Sequence, residues 1–168
     1  MQGFLSRPFI LPSLVLLAGM AATVGGALAF EHIGGYVPCA LCLLQRDPYY
    51  YGLPVSLVAL VASSVGASPG LIRFLILLIA VLMLVGAGMG AYHSGVEWGF
   101  WEGPSACSAP VDSVPTNAND ILADLNRVHG PSCTVASFRF LGLSFAGWNV
   151  VASLALAAIA LRGALRKA

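Results

Sequence analysis

The sequence contains very few charged residues. Asp, Glu, Lys and Arg make up 9% of its 168 residues, whereas hydrophobic residues make up 58%, and ordinary soluble domains carry about 25% charged residues. The net charge is only +1, which excludes the basic surface that nucleic-acid binding requires. The mean hydropathy is +0.87. These shortages disfavour a water-soluble domain and predict a chain embedded in a lipid bilayer.

Four apolar runs have the length that a bilayer crossing requires, about 20 residues for a helix. They predict an all-α membrane protein, a four-transmembrane-helix bundle that forms a single domain over residues 1–168. The predicted spans are 9–30, 49–65, 71–92 and 143–161.

The first run could instead be a secretory signal peptide. Arg7 precedes it, and Ala27-Leu28-Ala29 resembles a cleavage site with small residues. Signal cores usually extend over about 7 to 15 apolar residues, and this run is longer. A membrane-spanning helix is therefore the favoured interpretation.

One side of the predicted bundle lacks acidic residues. Four spans place both termini on one side of the membrane and two loops, 31–48 and 93–142, on the other. The first side carries only the basic residues Arg7, Arg73, Arg162, Arg166 and Lys167, whereas every acidic residue falls on the second. By the positive-inside rule both termini are predicted to be cytoplasmic, with the short and the long loop outside. Basic exceptions on the outer side are Arg46, Arg127 and Arg139.

All four cysteines fall on this outer side, where disulfides persist. Two structural bridges are the ordinary interpretation of four such cysteines. Cys39 and Cys42, however, form a Cys-x-x-Cys pair, whose short ring stabilises a fold little and is typical of a redox pair. Cys107 and Cys133 are separated by a long polar segment and are interpreted as a loop disulfide.

Structural zinc is a further alternative, because four thiolates can form a tetrahedral site. Three histidines are predicted on the same side, namely His32, His93 and His129. The sequence lacks the second Cys-x-x-Cys or the close histidine pair that such sites usually contain. No metal site is therefore predicted.

A helix start is predicted at Pro38, directly before Cys39. The free N–H groups and the dipole of a first turn favour a thiolate, and Cys42 is the predicted beneficiary. Arg46 follows one turn later and is expected within reach of that thiolate or of an oxygen on a bound acceptor. Alternatively, Arg46 extends to lipid headgroups or pairs with Asp47. Pro48 predicts either a kink or a helix that begins after it.

His93 is predicted at the same depth, near the end of the third span. Its ring could donate a hydrogen bond to a carbonyl oxygen or relay a proton, or it could be a solvated boundary residue. In the long loop, the segment 119–129 predicts a short helix that lies on the bilayer or packs against the other loop. Aromatic residues after the third span are typical of an interfacial belt: Trp98, Phe100 and Trp101.

The segment Pro38-Cys39-Ala40-Leu41-Cys42, followed by Gln45-Arg46 and by Cys107 and Cys133 in a second outer loop, resembles the DsbB family. That resemblance covers nearly the whole chain and implies a multi-pass protein of the bacterial inner membrane, with its redox loops in the periplasm. It implies a thiol:quinone oxidoreductase that re-oxidises a DsbA-like thioredoxin-fold protein and uses ubiquinone or menaquinone as the electron acceptor.

The resemblance also implies a role for each cysteine. Cys107 and Cys133 would form the disulfide that the reduced partner attacks, with Cys107 in the mixed disulfide. Cys39 would re-oxidise this loop pair through Cys133, and Cys42 would face the quinone. The resemblance also implies that Arg46 and His93 bind the quinone.

Two other functions remain open from the sequence. A vitamin K epoxide reductase-like protein also combines four helices, a Cys-x-x-Cys and a quinone, but its loop pair precedes the Cys-x-x-Cys, and here the order is reversed. A tetraspan scaffold with inert disulfides would hold a partner and would not depend on a quinone.

Overall fold

A computed structural model of the protein describes residues 8–104, 107 and 132–166. The predicted loop helix at 119–129 lies outside the described residues, as do several of the charged residues used for the orientation. The regular secondary structure of the described part is helical apart from one two-stranded hairpin. The helices are α1 (Ile10–His32), α2 (Ala40–Leu44), α3 (Asp47–Val65), α4 (Pro69–Glu97) and α5 (Phe145–Ala164); the antiparallel strands are β1 (Arg139–Phe140) and β2 (Leu143–Ser144).

The predicted four-helix membrane architecture is confirmed. Within the described residues, four helical stretches are long and apolar enough to cross a bilayer: α1, α4, α5, and the α2–α3 segment Ala40–Val65. Their outward positions are largely apolar, as expected for surfaces that contact lipid. Phe74 and Val61, for example, are 63% and 52% exposed.

Local sequence signals account for the helix ends. Ser68 caps α4 by accepting from the N–H of Leu71, and Ser144 caps α5 in the same way, since a serine oxygen satisfies a donor that the first turn leaves free. Pro48 occupies the first turn of α3, where its missing N–H removes no helical hydrogen bond. Pro48 was predicted to kink the helix or to precede its start; α3 instead begins one residue before Pro48, at Asp47, and the break between α2 and α3 lies at Gln45 and Arg46.

The bundle core is filled by large apolar side chains from α1 and α4, including Leu16, Met20 and Met83, which are fully buried. Small residues let α4 approach α5 closely. A Cβ on Gly90 would lie 3.0 Å from the backbone oxygen of Ala146, so a larger residue there would force the two helices apart.

Candidate functional site

The two cysteine pairs meet at one end of the bundle, which we call the cysteine end. Cys107 and Cys133 form a disulfide, whereas Cys39 and Cys42 are free thiols. The Sγ atoms of Cys39 and Cys42 lie 2.8 Å apart, compared with about 2.05 Å in a bonded pair. Only a small movement therefore separates the free pair from its disulfide.

Cys39 also adjoins the loop disulfide. Its Sγ, a ring nitrogen of His93 and the Sγ of Cys133 all lie within 4.8 Å of one another, and the three cysteines Cys39, Cys107 and Cys133 share one buried cluster. The sulfur of Cys133 is bonded to Cys107 and is not a thiolate ligand in this state. The arrangement suits exchange between disulfides, which requires one sulfur to approach another directly.

Cys39 caps the short helix α2. The N–H of Cys42 donates to the Sγ of Cys39 at 3.3 Å, because Cys39 has extended backbone angles directly before the first turn. The prediction that the helix start favours a thiolate at Cys42 was wrong in the residue that it named: the donated N–H reaches Cys39.

The pKa of the Cys39 thiol is lowered from its ordinary value of about 9 to about 4. The hydrogen bond with the Cys42 side chain is the largest cause, and burial opposes it. Smaller contributions that lower the pKa come from His93 and from the N–H of Cys42. Cys39 is therefore a thiolate at neutral pH.

We expect the alkylation of Cys39 by iodoacetamide to be nearly independent of pH between about pH 5 and 8, because only the thiolate reacts. The rate should fall as the pH drops towards 4, where the sulfur takes up its proton. Mass spectrometry of the protein with its loop disulfide intact would measure the profile. A rate that climbs steadily up to about pH 8.5, as for an ordinary thiol, would contradict this expectation.

A cavity of about 350 Å³ opens beside Cys42, between α1 and α5. Its lining is mainly apolar and includes Cys42 and the charged residues Arg46 and Glu31. Aromatic rings of Phe30, Tyr36 and Phe145 line the cavity and pack edge to face against one another. The cavity could therefore hold a flat apolar molecule that presents a polar atom to Arg46.

Arg46 is paired with an acidic residue that was not predicted as its partner. Its Nη1 lies 2.5 Å from Oε2 of Glu31, near the end of α1, and both side chains are partly buried. Neither lipid headgroups nor Asp47, the two alternatives considered, supplies this contact. The available signal was depth: Glu31 directly follows the first predicted span (9–30), and Arg46 lies three residues before the second (49–65).

His93 lies behind Cys39 and does not line the cavity. It is 2% exposed, and its Nε2 lies 3.7 Å from the Sγ of Cys39 and 3.9 Å from Oε1 of Glu97. The solvated alternative is excluded by this burial. The expected contact between His93 and a quinone stays a prediction, and the observed contact is with a reacting sulfur.

Buried polar side chains continue from His93 into the bundle. Nε2 of Gln45 lies 2.6 Å from Nδ1 of His93, and Oε1 of Gln45 accepts from Nδ2 of Asn149 at 2.9 Å. The hydroxyl of Tyr49 donates to Oδ1 of Asn149 and is also 2.7 Å from the hydroxyl of Ser153. This network was not predicted from the sequence, because hydrophobic patterning does not reveal buried polar residues that form hydrogen bonds with one another.

The profile of the family described as "Disulfide bond formation protein DsbB" matches residues 11–162. The chain belongs to the DsbB family. DsbB-family membership makes it a disulfide-forming membrane protein and an oxidoreductase, and it confirms the resemblance inferred from the cysteine pattern.

Individual relatives agree with this DsbB assignment. The chain is 33% identical to disulfide bond formation protein B 2 of Pseudomonas entomophila over 92% of this chain and 88% of the relative. It is 29% identical to disulfide bond formation protein B of Saccharophagus degradans over 93% of both chains, and 27% identical to an uncharacterised protein of Rickettsia prowazekii over 86% and 81%. No solved structure matches the chain.

Proposed function

We propose that this DsbB-family protein re-oxidises a DsbA-like thioredoxin-fold protein and passes the electrons to a membrane quinone, ubiquinone or menaquinone. One observation carries the proposal: Cys39 adjoins the loop disulfide, while its partner Cys42 faces a mainly apolar cavity. The two sulfurs of a single Cys-x-x-Cys thus adjoin two different sites, as a carrier between a soluble and a lipid-soluble reactant must.

The residues around the cavity fit a quinone. Such a molecule is flat and apolar with two carbonyl oxygens, and the cavity combines aromatic walls with one guanidinium. Arg46 would hold a carbonyl oxygen, since a guanidinium forms strong hydrogen bonds to an oxygen that gains charge. Bound there, a quinone would accept the two electrons released when the Cys39 thiolate and Cys42 form their disulfide, with one proton from the Cys42 thiol and one from water.

The remaining steps are thiol–disulfide exchanges among the protein's own cysteines. A thiolate of the reduced partner attacks Cys107, which breaks the Cys107–Cys133 bond, and the partner's second thiol then displaces Cys107. The Cys133 thiolate next attacks Cys39 of the oxidised pair, forming a Cys39–Cys133 bond and releasing Cys42 as a thiolate. Finally Cys107 attacks Cys133 and releases Cys39 as a thiolate.

The state in the structure corresponds to the end of this sequence. The Cys107–Cys133 bond is intact and Cys39 and Cys42 are unbonded, which is the combination that the last of these exchanges would leave. Each exchange forms one S–S bond and breaks one, so no outside oxidant is needed until the free pair is re-oxidised.

Orientation in the bacterial inner membrane is also part of the proposal, with the cysteine end in the periplasm. The described basic residues Arg73, Arg162 and Arg166 lie at the opposite end of the bundle, where Arg73 donates to the backbone oxygen of Arg166. Basic residues favour the cytoplasmic side. A cysteine end in the periplasm would also keep the loop disulfide in an oxidising compartment.

Reconstitution tests the proposed function. Purified protein in lipid, supplied with a short-chain ubiquinone or menaquinone, should oxidise many equivalents of a reduced DsbA-like protein, with one quinone reduced per disulfide formed. The same preparation without quinone should oxidise only the few equivalents that its own disulfides allow. Equal turnover with and without quinone would exclude the proposal.

A further inference from the structure

The amide of Gln45 can adopt only one orientation in its surroundings. Its Nε2 lies 3.2 Å from the backbone oxygen of Leu41, which can only accept, and its Oε1 lies 2.9 Å from Nδ2 of Asn149, which can only donate. A flipped amide would place two acceptors together at Leu41 and two donors together at Asn149. Gln45 is therefore the donor in its 2.6 Å contact with Nδ1 of His93.

Asn149 is held in the same way, which gives the network one direction. Its Nδ2 also donates to the backbone oxygen of Gly86 at 3.3 Å, and its Oδ1 accepts from the hydroxyl of Tyr49 at 2.7 Å. Tyr49 is 2% exposed and Ser153 fully buried, so neither hydroxyl is free to turn to water. The donors consequently point from the bundle core towards His93.

These directions determine which nitrogen of neutral His93 carries the proton. Nδ1 accepts from Gln45, so the proton is on Nε2. That nitrogen lies 3.7 Å from the Sγ of Cys39. We propose that Gln45, held by Asn149, is a positioning residue that fixes this tautomer of His93 and so directs an N–H at the sulfur of Cys39.

The inference rests on the proposed function for its role in turnover. When Cys107 attacks Cys133, Cys39 departs with the electron pair of the broken S–S bond, and the N–H of His93 stabilises the charge that appears on its sulfur. No proton has to move in that step. The reverse tautomer would present a lone pair to the departing thiolate and would oppose it.

Other groups near Cys39 also affect the stability of the negative charge on its sulfur. Cys42 contacts it from α2, Cys133 from the loop is disulfide-bonded and does not titrate, and Glu97 on α4 lies 3.9 Å from the same Nε2. The carboxylate of Glu97 and the sulfur of Cys39 are both acceptors, so Glu97 competes with Cys39 for the N–H of His93. Arg46 and Glu31 face the cavity and are paired with each other.

The test measures the sulfur of Cys39 directly, in a Cys42→Ser background that leaves the loop disulfide in place. The pH dependence of iodoacetamide alkylation at Cys39, located by mass spectrometry, gives the midpoint of thiolate formation. Gln45→Met keeps the length of the side chain but removes its N–H donor. We expect it to raise the midpoint by about one pH unit, which is about a tenfold loss of thiolate below the midpoint. Asn149→Leu should raise it by less, because Gln45 remains.

A double-variant comparison separates positioning from general disturbance. In His93→Leu the midpoint should rise at least as far as in Gln45→Met, and adding Gln45→Met to His93→Leu should cause no further rise. Tyr49→Phe should give a small rise and its exposed neighbour Tyr51→Phe none, which provides a matched control. An unchanged midpoint in Gln45→Met, or an equal rise when His93 is absent, would overturn the inference.

These measurements need neither quinone nor a DsbA-like protein. If quinone reduction fails in reconstitution while the Gln45→Met shift is present, the proposed function falls and the role of Gln45 in fixing His93 stands. If turnover succeeds and the midpoint does not move, the proposed function stands and the role of Gln45 in fixing His93 falls. Melting temperatures of each variant identify any that fail to fold, in which case Asn149→Leu and Tyr49→Phe carry the test.

Discussion

Replacing Cys42 with serine will stop quinone reduction while leaving a single round of partner oxidation intact. The Cys107–Cys133 disulfide remains available to a reduced DsbA-like protein, so about one equivalent of that protein should be oxidised. Cys39 then has no second thiol with which to form the disulfide that faces the cavity. Quinone absorbance with lipid-reconstituted protein should show a fall in turnover to the background of a cysteine-free variant.

The loop double variant, Cys107→Ser with Cys133→Ser, provides the matched control. It should lose all oxidation of the DsbA-like protein, because the soluble partner has no disulfide to attack. It should still reduce quinone when dithiothreitol is supplied, since Cys39 and Cys42 are unchanged. Quinone reduction that persists in Cys42→Ser would refute the placement of Cys42 at the acceptor.

Replacing Arg46 with methionine will weaken quinone binding by about 10- to 100-fold, which corresponds to the loss of one charge-assisted hydrogen bond. The side chain keeps much of its apolar volume, so the walls of the cavity should be preserved. The Michaelis constant for a short-chain quinone should rise by this factor. The Michaelis constant of Arg46→Lys should lie between those of the unchanged protein and Arg46→Met, because an ammonium group retains the charge but lacks the planar guanidinium geometry.

Loss of Arg46 also leaves Glu31 partly buried without its partner, so Arg46→Met should lower the melting temperature. Adding Glu31→Gln should restore much of that stability and none of the affinity. Arg139 is exposed at the same end of the bundle, and Arg139→Met should change neither the melting temperature nor the affinity for quinone. Recovered affinity in the double variant would mean that Arg46 acts only by neutralising Glu31.

The bundle could be predicted from the sequence because lipid imposes a strong and local requirement. A helix that crosses a bilayer needs about 20 apolar residues in succession, and each of the four runs meets it. The least accurate end was that of α4, which continues five residues beyond the predicted span to Glu97. The segment after Tyr92 contains His93 and Glu97, whose polarity argues for a loop, although both side chains are shielded from solvent in the structure.

The grouping of the cysteines was predictable in part. The predicted topology placed all four cysteines at one end of the bundle. Proline chemistry indicated an irregularity near Pro48, but the break lies earlier, at Gln45 and Arg46, and α3 includes Pro48. The sulfur that accepts the helix N–H is determined by the residue at which α2 begins. Because α2 begins at Ala40, Cys39 occupies the capping position; a start shifted by one residue would place a different residue there. Helix ends are the least predictable feature of a sequence.

The network behind Cys39 could not be predicted. Gln45, at the break between α2 and α3, and Asn149 on α5 are 104 residues apart in the chain and meet only in the folded bundle. A single glutamine at a helix break has no distinguishing pattern. Its role emerges only when the partners of each donor and acceptor are known.

The cap that Cys39 forms on α2 affects the energetics of the pair. A charged sulfur accepts the N–H of Cys42 well, whereas a sulfur bonded in a disulfide carries no charge and accepts poorly, so the cap favours the free pair. With a capping contact of about 1 kcal/mol, and 30 mV equivalent to about 1.4 kcal/mol, the reduction potential of the pair rises by roughly 20 mV. The first turn of a five-residue helix thereby makes Cys39 and Cys42 a stronger oxidant towards the loop cysteines.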